Sequence, residues 1–291
     1  MSIIPFDDRD GFIWYDGALQ PWRDAKIHVL THAIHYASCV FEGERAYGGK
    51  VFKLSEHTQR LLDSARLLGF EIPYTRQELE HATNETLAAN KLVDAYVRPL
   101  AWRGAEQMGV SAQQSKIHVA IAVWPWGSYF SPEARMKGIR MKWAKWARPA
   151  PNTAPTASKA AGLYMICTLS KHDAESEGYH DALMLDWRGQ IAEATGANIF
   201  LCIDGALHTP TPDCFLDGIT RRAVIGFAKN RQIKVVERAI MPDELGKAQE
   251  VFLTGTAAEI TPVGEIDKYR FTPGAITQAL IADFDKAVGR A

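Results

Sequence analysis

The sequence is poor in cysteine, has no long apolar run and carries almost no net charge. Its four cysteines form no CxxC pair, so a disulfide scaffold is not expected and a reducing compartment is favoured. No stretch reaches the roughly 18 consecutive apolar residues that a membrane helix needs. The formal net charge is -1, so nothing indicates nucleic acid or an anionic membrane as a partner.

The N-terminal segment also lacks the features of a secretory signal. Its first ten residues are acidic where a signal peptide is basic, and they contain no apolar core. We therefore expect a cytoplasmic protein. Hydrophobic residues make up 47% of the 291 residues and charged residues 23%, which is ordinary globular composition for one large domain or two smaller ones.

The first half of the sequence alternates predicted strands with predicted helices. Ser55 is expected to cap a helix over residues 56–68. Thr75 and Glu78 have the spacing of a capping box for a second helix. Apolar alternation then predicts a strand over residues 117–124. This order of elements indicates an N-terminal α/β domain.

Proline, glycine and serine interrupt the pattern between residues 125 and 138. We place a domain boundary there, with a small domain over residues 1–130, a linker over 131–138 and a larger domain over 139–291. The larger domain is richer in predicted strands and ends in a helix. The expected fold class is therefore α/β (α+β) with two domains.

Lys159 stands in a run of small residues that contains no other charge, Pro155-Thr156-Ala157-Ser158-Lys159-Ala160-Ala161-Gly162. A lysine with so little bulk around it is poorly hydrated, and its neutral amine can touch a flat substrate or cofactor. Taken alone, such a lysine is more often a solvated residue. Whether Lys159 has a functional role is therefore judged from the segments that follow it in the sequence.

Those segments supply a carboxylate and two groups of phosphate donors. Glu193 opens the stretch Glu193-Ala194-Thr195-Gly196-Ala197-Asn198-Ile199-Phe200. Gly218-Ile219-Thr220 begins a predicted helix, whose free N–H groups favour an anion. Thr254-Gly255-Thr256-Ala257-Ala258 offers a second turn of donors after a strand.

Together, Lys159 and these segments resemble the signature of the class IV pyridoxal-phosphate aminotransferases. The resemblance implies fold type IV, with a C-terminal pseudo-barrel and pyridoxal 5'-phosphate as cofactor. It further implies that Lys159 is the catalytic residue and carries the cofactor as an internal aldimine. Glu193 would hydrogen-bond the pyridine nitrogen. The remaining cofactor contacts implied are Arg60, Tyr164, Gly218, Ile219, Thr220 and Thr256.

Within that family, the chain resembles the branched-chain amino acid aminotransferases over nearly its whole length. The stretches that carry this likeness include Val40-Phe41-Glu42-Gly43, Ala95-Tyr96-Val97-Arg98-Pro99-Leu100, Met108-Gly109-Val110 and Trp124-Pro125-Trp126-Gly127-Ser128-Tyr129. The resemblance implies reversible ping-pong transfer of an amino group between leucine, isoleucine or valine and 2-oxoglutarate. It also implies a homodimer or an assembly of dimers, and no metal.

The same resemblance implies the substrate contacts. An apolar pocket would bury the branched side chain, and its implied members are Phe41, Trp126, Tyr129 and Tyr164. Two further contacts, Tyr36 and Val110, would approach from a domain or subunit edge. Arg98 would bind the side-chain carboxylate of glutamate or 2-oxoglutarate. The α-carboxylate would meet Tyr96 and the backbone N–H groups of Thr256 and Ala257.

Several alternatives stay open on the sequence. A D-amino-acid aminotransferase, an amine transaminase or an aminodeoxychorismate lyase would use the same lysine and glutamate, and a non-catalytic cofactor-binding protein would keep the lysine. His28, His32 and His35 fall at helical spacing and could bind zinc, although no HExxH motif accompanies them. Two departures from the family stand out: Asp217 replaces a common proline, and the loop over residues 103–107 is unusually polar.

Overall fold

The computed structural model describes residues 4–127 and 137–290. The chain forms two compact units. Unit 1 contains Met1–Gly127 and Ser158–Gly162, and unit 2 contains Ser128–Ala157 and Leu163–Ala291. Lys159 therefore belongs to unit 1 although it lies far along the sequence. The predicted boundary near residue 130 and most of the predicted linker fall outside the described residues, so the domain limits stay a prediction.

Unit 1 is built on an antiparallel sheet. Its strands in the described residues are β1 (Phe12–Tyr15), β2 (Ala18–Pro21), β3 (Cys39–Phe41), β4 (Glu44–Tyr47), β5 (Lys50–Val51), β6 (Ala95–Arg103) and β7 (Ile117–Pro125). They lie in the order β2-β1-β7-β6-β4-β5, and β3 also pairs with β6. The predicted alternation of β7 is confirmed, because Val119, Ile121 and Val123 are buried in the core.

The described part of unit 1 contains three helices: α1 (His32–Tyr36), α2 (Leu54–Leu67) and α3 (Arg76–Ala89). The capping box of Thr75 and Glu78 is confirmed at the start of α3. The predicted cap at Ser55 is wrong. The helix α2 already begins at Leu54, because Lys53 adopts a left-handed conformation with φ of 59° and turns the chain into the helix. The buried faces of α2 and α3 pack against the sheet core.

Unit 2 is rich in strands, as predicted. They are β8 (Ile139–Trp143), β9 (Asp181–Leu185), β10 (Ile191–Ala194), β11 (Asn198–Ile203), β12 (Ala206–Pro210), β13 (Val235–Arg238), β14 (Glu250–Gly255), β15 (Glu259–Ile266) and β16 (Tyr269–Arg270). The order β10-β9-β8-β15-β14-β11 closes on itself through pairing of β10 with β11. This ring confirms the strand-rich pseudo-barrel.

Within residues 137–290, the helices of unit 2 are α4 (Met165–Ser176), α5 (Ile219–Asn230) and α6 (Ala275–Ala287). The sequence predicted α5 and α6 but not α4. Short 3-10 segments occur at Trp22–Asp24, Ala161–Tyr164 and Pro242–Lys247. Among the described residues, no helix combines the length and the apolar character needed to cross a membrane.

Candidate active site

The segment around Lys159 is held in place by hydrogen bonds to α2 and β3. The backbone N–H of Lys159 donates to Ser64 Oγ at 3.0 Å, and its carbonyl accepts from the Phe41 N–H at 3.2 Å. Ser158 Oγ donates to the Ser64 carbonyl at 2.9 Å. The small residues on either side of Lys159 let the backbone approach this closely, so the position of the lysine is fixed within unit 1.

The Lys159 amine lies 4.8 Å from the centroid of the Phe41 ring. Its pKa falls from 10.5 to about 8, first because burial disfavours the ammonium and then because Arg60 is near; Glu42 opposes the fall. This drop raises the neutral fraction of the amine near pH 7 by roughly 300-fold. The site therefore favours the nucleophilic form of the lysine.

Phe41 also belongs to a group of aromatic side chains in unit 1. The Tyr96 ring lies 5.0 Å from Trp124 and 4.9 Å from Trp126. Gly43 makes room for this group, since a Cβ at that position would come within 2.1 Å of the Tyr96 hydroxyl. Three of the predicted substrate contacts, Phe41, Tyr96 and Trp126, thus occur together with Arg98 and Lys159.

Arg98 projects from β6 into the same group. Its guanidinium lies 4.8 Å from the Phe41 ring centroid, and its Nη2 donates to the Tyr96 hydroxyl at 3.2 Å. The Arg98 Nε is buried and finds no hydrogen-bond partner among residues 4–127 and 137–290. An unpaired buried donor costs about 1–3 kcal/mol, so this atom favours an anionic ligand.

Two other predicted contacts lie at the surface of unit 1. The side chains of Tyr36 and Val110 are 45% and 88% exposed. His32 contacts the surroundings of both residues. Its Nε2 lies 2.8 Å from the Gly109 carbonyl oxygen, and its ring stacks on Tyr36 with 4.6 Å between the ring centroids. Its Nδ1 meets Ser38 Oγ, so both ring nitrogens of His32 have protein partners. Tyr129 lies outside the described residues.

In unit 2, Glu193 lies on β10 opposite Asn198 on β11. Asn198 Nδ2 donates to Glu193 Oε2 at 3.2 Å and to the Leu216 carbonyl at 3.0 Å. Arg148 Nε lies 3.4 Å from Glu193 Oε1, and both side chains are largely buried. The Asn198 amide therefore orients the Glu193 carboxylate, and the Arg148 guanidinium offsets its negative charge.

Arg148 and Tyr164 belong to the surroundings of Glu193. Burial disfavours the Arg148 cation, but Glu193 first and then Cys167 and Tyr164 outweigh it, so the pKa of Arg148 is raised. Arg148 Nη1 also donates to Cys167 Sγ at 3.3 Å. Tyr164 precedes α4 as its N-cap residue. The predicted cofactor contacts Glu193 and Tyr164 therefore share one neighbour in unit 2.

The predicted phosphate turn forms the start of α5. Gly218 is the N-cap residue, and no side chain within the described residues caps the first turn, which contains Ile219 and Thr220. Arg221, nearly fully buried, donates to Asp217 Oδ1 at 2.9 Å and to Glu237 Oε2 at 2.6 Å. The carboxylate of Asp217 is thus paired with Arg221, and Arg222 Nε lies 4.0 Å from its Oδ2, which reduces its repulsion of an anion at this turn.

The second predicted phosphate turn joins β14 to β15. Thr256 and Ala257 lie in the turn, with Gly255 and Glu259 paired at its base. A Cβ on Gly255 would lie 3.2 Å from the Gly196 carbonyl oxygen, so the turn packs closely on the segment after β10. This packing places the turn beside the chain that follows Glu193 within unit 2.

Comparison with known proteins bears on this arrangement. The family model described as Amino-transferase class IV matches residues 39–266. The chain belongs to this family. A branched-chain-amino-acid aminotransferase of Pseudomonas aeruginosa is 44% identical over 271 residues, which cover 92% of this chain and 88% of that protein. The predictions of a class IV fold and of an enzyme are therefore confirmed.

Solved structures agree with the family assignment. The crystal structure of the Escherichia coli branched-chain amino acid aminotransferase has a TM-score of 0.93 and 40% identity, covering 97% of this chain and 96% of that one. The T.th. branched-chain amino acid aminotransferase, solved with N-(5'-phosphopyridoxyl)-L-glutamate, has a TM-score of 0.91, 38% identity and the same coverage. It has also been solved with 4-methylvaleric acid.

Four residues of this class IV chain contribute to the site geometry although the sequence analysis assigned them no role. Glu42 and Asn198 lie inside stretches that carried the resemblance, so the motif itself contained a signal for them. His57 and Arg148 had none, because their partners, Glu42 and Glu193, are 15 and 45 residues away in the sequence.

Gly218 is required by close approach and not by its backbone angle, which is an ordinary φ of -62°. A Cβ there would lie 2.1 Å from Asn198 Oδ1. We therefore expect Gly218→Ala to displace Asn198 from Glu193 and to destabilise the protein by about 1–3 kcal/mol. Urea unfolding measures this change.

Gly226 in the middle of the same helix is the matched control, because among the described residues no atom beyond its chain neighbours and the helix backbone lies within 4 Å of the corresponding Cβ. Gly226→Ala should be neutral or stabilise the protein by up to about 1 kcal/mol through helix propensity. Equal unfolding free energies for the two variants would contradict the proposed contact between Gly218 and Asn198.

Proposed function

We propose that this protein is a pyridoxal-phosphate-dependent branched-chain amino acid aminotransferase. It would transfer the amino group reversibly between L-leucine, L-isoleucine or L-valine and 2-oxoglutarate. The observation that carries the proposal is the Lys159 amine, positioned by backbone hydrogen bonds and shifted toward its neutral form, in a chain of the class IV family.

The residues present fit the cofactor by their chemistry. A pyridoxal phosphate needs an amine for its aldehyde carbon, a carboxylate for its ring nitrogen and donors for its phosphate. Lys159 supplies the amine and Glu193 the carboxylate. The uncapped first turn of α5 supplies backbone donors for a phosphate. In β14, the Thr254 hydroxyl is buried and finds no hydrogen-bond partner among the described residues.

When bound, the cofactor supplies an electron-withdrawing ring that makes the substrate Cα–H acidic. Lys159 would hold the cofactor through Nζ, and the same Nζ in its neutral form would accept the proton of the substrate Cα and hold it for return. Its lowered pKa suits this work, because an ammonium can accept no proton. The apolar ring of Phe41, 4.8 Å from the amine, reduces the hydration of the ammonium.

Glu193 would keep a proton on the ring nitrogen of the cofactor. Asn198 fixes one carboxylate oxygen, and Arg148 balances the charge at the other. Because Arg148 is buried and cationic, it favours the ionised carboxylate. An ionised and oriented Glu193 is the form that can accept the hydrogen bond from a protonated ring nitrogen.

The aromatic group in unit 1 can accept two kinds of side chain. Phe41, Tyr96 and Trp126 offer apolar surface, and burial of an aliphatic chain is worth about 0.8 kcal/mol per CH₂. Arg98 offers its buried Nε to the carboxylate of glutamate or 2-oxoglutarate. The T.th. enzyme has been solved with a glutamate adduct and with an aliphatic acid. These ligands support the proposal that this chain accepts both a carboxylate side chain and an aliphatic one.

We further infer a homodimer or an assembly of dimers. Ile34, Tyr36 and Val110 are apolar or aromatic side chains on the surface of unit 1, and all three are exposed in the single chain. A partner subunit would cover these side chains, and the predicted substrate contacts Tyr36 and Val110 would then lie at the subunit edge. Light scattering should give a mass at least twice the 32.3 kDa of the chain.

The direct experiment is a panel of L-amino acids, D-amino acids and amines with 2-oxoglutarate or pyruvate as acceptor. We expect purified protein to be yellow and the branched L-amino acids with 2-oxoglutarate to react fastest. A preference for D-amino acids or amines would assign the chain to another class IV activity. A protein that binds pyridoxal phosphate without turnover would be a binding protein.

Arg98→Ala tests the second substrate. We expect kcat/KM for glutamate and 2-oxoglutarate to fall by about 10²-fold or more, because a charge-assisted hydrogen bond to the carboxylate is lost. The value for leucine should change by less than about fivefold, since leucine makes no ion pair there. Equal losses for all three substrates would contradict the assignment of Arg98.

A further inference from the structure

The Glu42 carboxylate is completely buried in unit 1 and accepts four hydrogen bonds. Arg60 donates from Nε at 2.6 Å and from Nη2 at 2.9 Å. His57 donates from Nδ1 at 2.7 Å, and the Gly43 N–H donates at 3.3 Å. Both carboxylate oxygens are therefore engaged, as a buried anion requires.

We propose that Glu42 is a positioning residue of the active site: it fixes the Arg60 guanidinium as a phosphate donor and balances the positive charge around the Lys159 amine. The proposal rests on the proposed function and on the contact between Arg60 and the cofactor that the class IV resemblance implies.

The first part of this role follows from the geometry of the Arg60–Glu42 pair. Two parallel N–H···O bonds from Nε and Nη2 fix the plane of the guanidinium. Nη1 lies outside this pair of bonds, so Glu42 determines where its donors point. Arg60 and His57 are one helical turn apart on α2, so both reach the same carboxylate.

The second part follows from the charges around Lys159. Arg60 and Arg98 disfavour the ammonium, while Glu42 and Tyr96 favour it. Burial lowers the pKa of His57, although Glu42 opposes this shift. Burial works against the Glu42 anion, but Arg60 and His57 outweigh it and hold the pKa of Glu42 well below its ordinary value. Glu42 therefore stays ionised and offsets the two arginines.

Glu44 provides a matched control two residues away on β4. It is also fully buried, but burial and the nearby Glu42 charge raise its pKa well above the ordinary value. Both effects favour the neutral form of Glu44. Glu44→Gln therefore removes less negative charge than Glu42→Gln does, and the two substitutions have the same size.

The first measurement uses the protein without cofactor. The rate at which acetic anhydride labels Lys159, followed by peptide mass spectrometry against pH, gives the pKa of this amine. We expect a lower value in Glu42→Gln, by on the order of one unit, because the substitution removes a nearby anion that favours the ammonium. Glu44→Gln should match the wild type. An unchanged Lys159 pKa in Glu42→Gln would overturn the charge role.

The second measurement is the dissociation constant of pyridoxal phosphate, with inorganic phosphate as competitor. Glu42→Gln should weaken binding about tenfold, and Arg60→Gln at least as much. In the Arg60→Gln background, Glu42→Gln should add less than about threefold, because Glu42 acts through Arg60. Additive losses would overturn the positioning role.

Glu42→Asp covers the case in which Glu42→Gln does not fold. Aspartate keeps the charge but shortens the reach to Arg60. The Lys159 pKa should then stay near that of the wild type while cofactor affinity falls; affinity equal to that of the wild type would contradict the geometric role. The labelling experiment needs no turnover, so it distinguishes failure of this inference from failure of the proposed aminotransferase activity.

Discussion

Lys159→Ala should lower kcat for leucine and 2-oxoglutarate by on the order of 10⁴-fold or more, since it removes both the covalent anchor and the proton carrier. The structure supplies the physical reason. The pKa of the half-buried Lys159 is lowered, mainly by desolvation, and its backbone is positioned through Ser64 and Phe41. Stopped-flow and steady-state rates with saturating cofactor measure the loss.

Two checks separate the loss of an amine from a loss of folding. Methylamine should restore part of the rate to Lys159→Ala, because the space left by the side chain admits a small amine. Borohydride reduction of the wild type should leave the cofactor on the peptide that contains Lys159. A label on another peptide, or a variant with more than a few per cent of wild-type kcat, would refute the assignment.

Lys142→Met is a suitable control. Lys142 lies on β8 and pairs with Asp173 and Glu177, two partly exposed carboxylates. Surface pairs of this kind contribute about 0–1 kcal/mol. The variant should therefore retain nearly the full rate, so a large loss would mean that replacing any lysine disturbs the enzyme.

Local features of the fold could be predicted from the sequence. The capping box of Thr75 and Glu78 depends on residues three apart, and the strand period of β7 depends on alternate side chains. The start of α2 was missed because Lys53 turns the chain through a left-handed conformation, which a side-chain preference does not reveal. Local sequence patterns therefore predict that a helix or strand is present better than they predict the residue at which it begins.

The motif around Lys159 predicted the chemistry but not the unit to which the lysine belongs. Ser158–Gly162 groups with unit 1 through Ser64, Val40 and Phe41, which precede it by about a hundred residues. Backbone hydrogen bonds between distant segments leave no pattern in either segment. The contact of Arg148 with Glu193 could not be predicted for the same reason: the two residues are far apart in the sequence, and neither residue type is unusual.

Glu193→Gln is the second variant for which we expect a large effect, a fall in kcat on the order of 10²–10³-fold. A neutral amide keeps the size of the side chain but no longer balances a proton on the cofactor ring nitrogen. The cofactor should still bind, because Lys159 and the first turn of α5 are untouched. Steady-state kcat, measured with cofactor saturation verified by absorbance, tests this separation.

Because Arg148 is buried beside Glu193, Glu193→Gln should change the stability of the protein as well as its rate. Glu193→Gln leaves this cation without its carboxylate partner, 3.4 Å away, and a buried charge that loses its partner is costly. We therefore expect a lower Tm for the single variant. Arg148→Met combined with Glu193→Gln should recover part of the Tm without recovering kcat, because the stranded charge is gone while the carboxylate is still missing.

Glu250→Gln separates this effect from the general loss of a buried carboxylate in unit 2. Glu250 Oε2 accepts from the Thr277 N–H at 2.8 Å at the start of α6, and it takes no part in the proposed chemistry. Its replacement should lower the Tm and leave kcat nearly unchanged. If Glu193→Gln behaved in the same way, with kcat within about threefold of the wild type, Glu193 would be a structural residue and the ring nitrogen would need another partner.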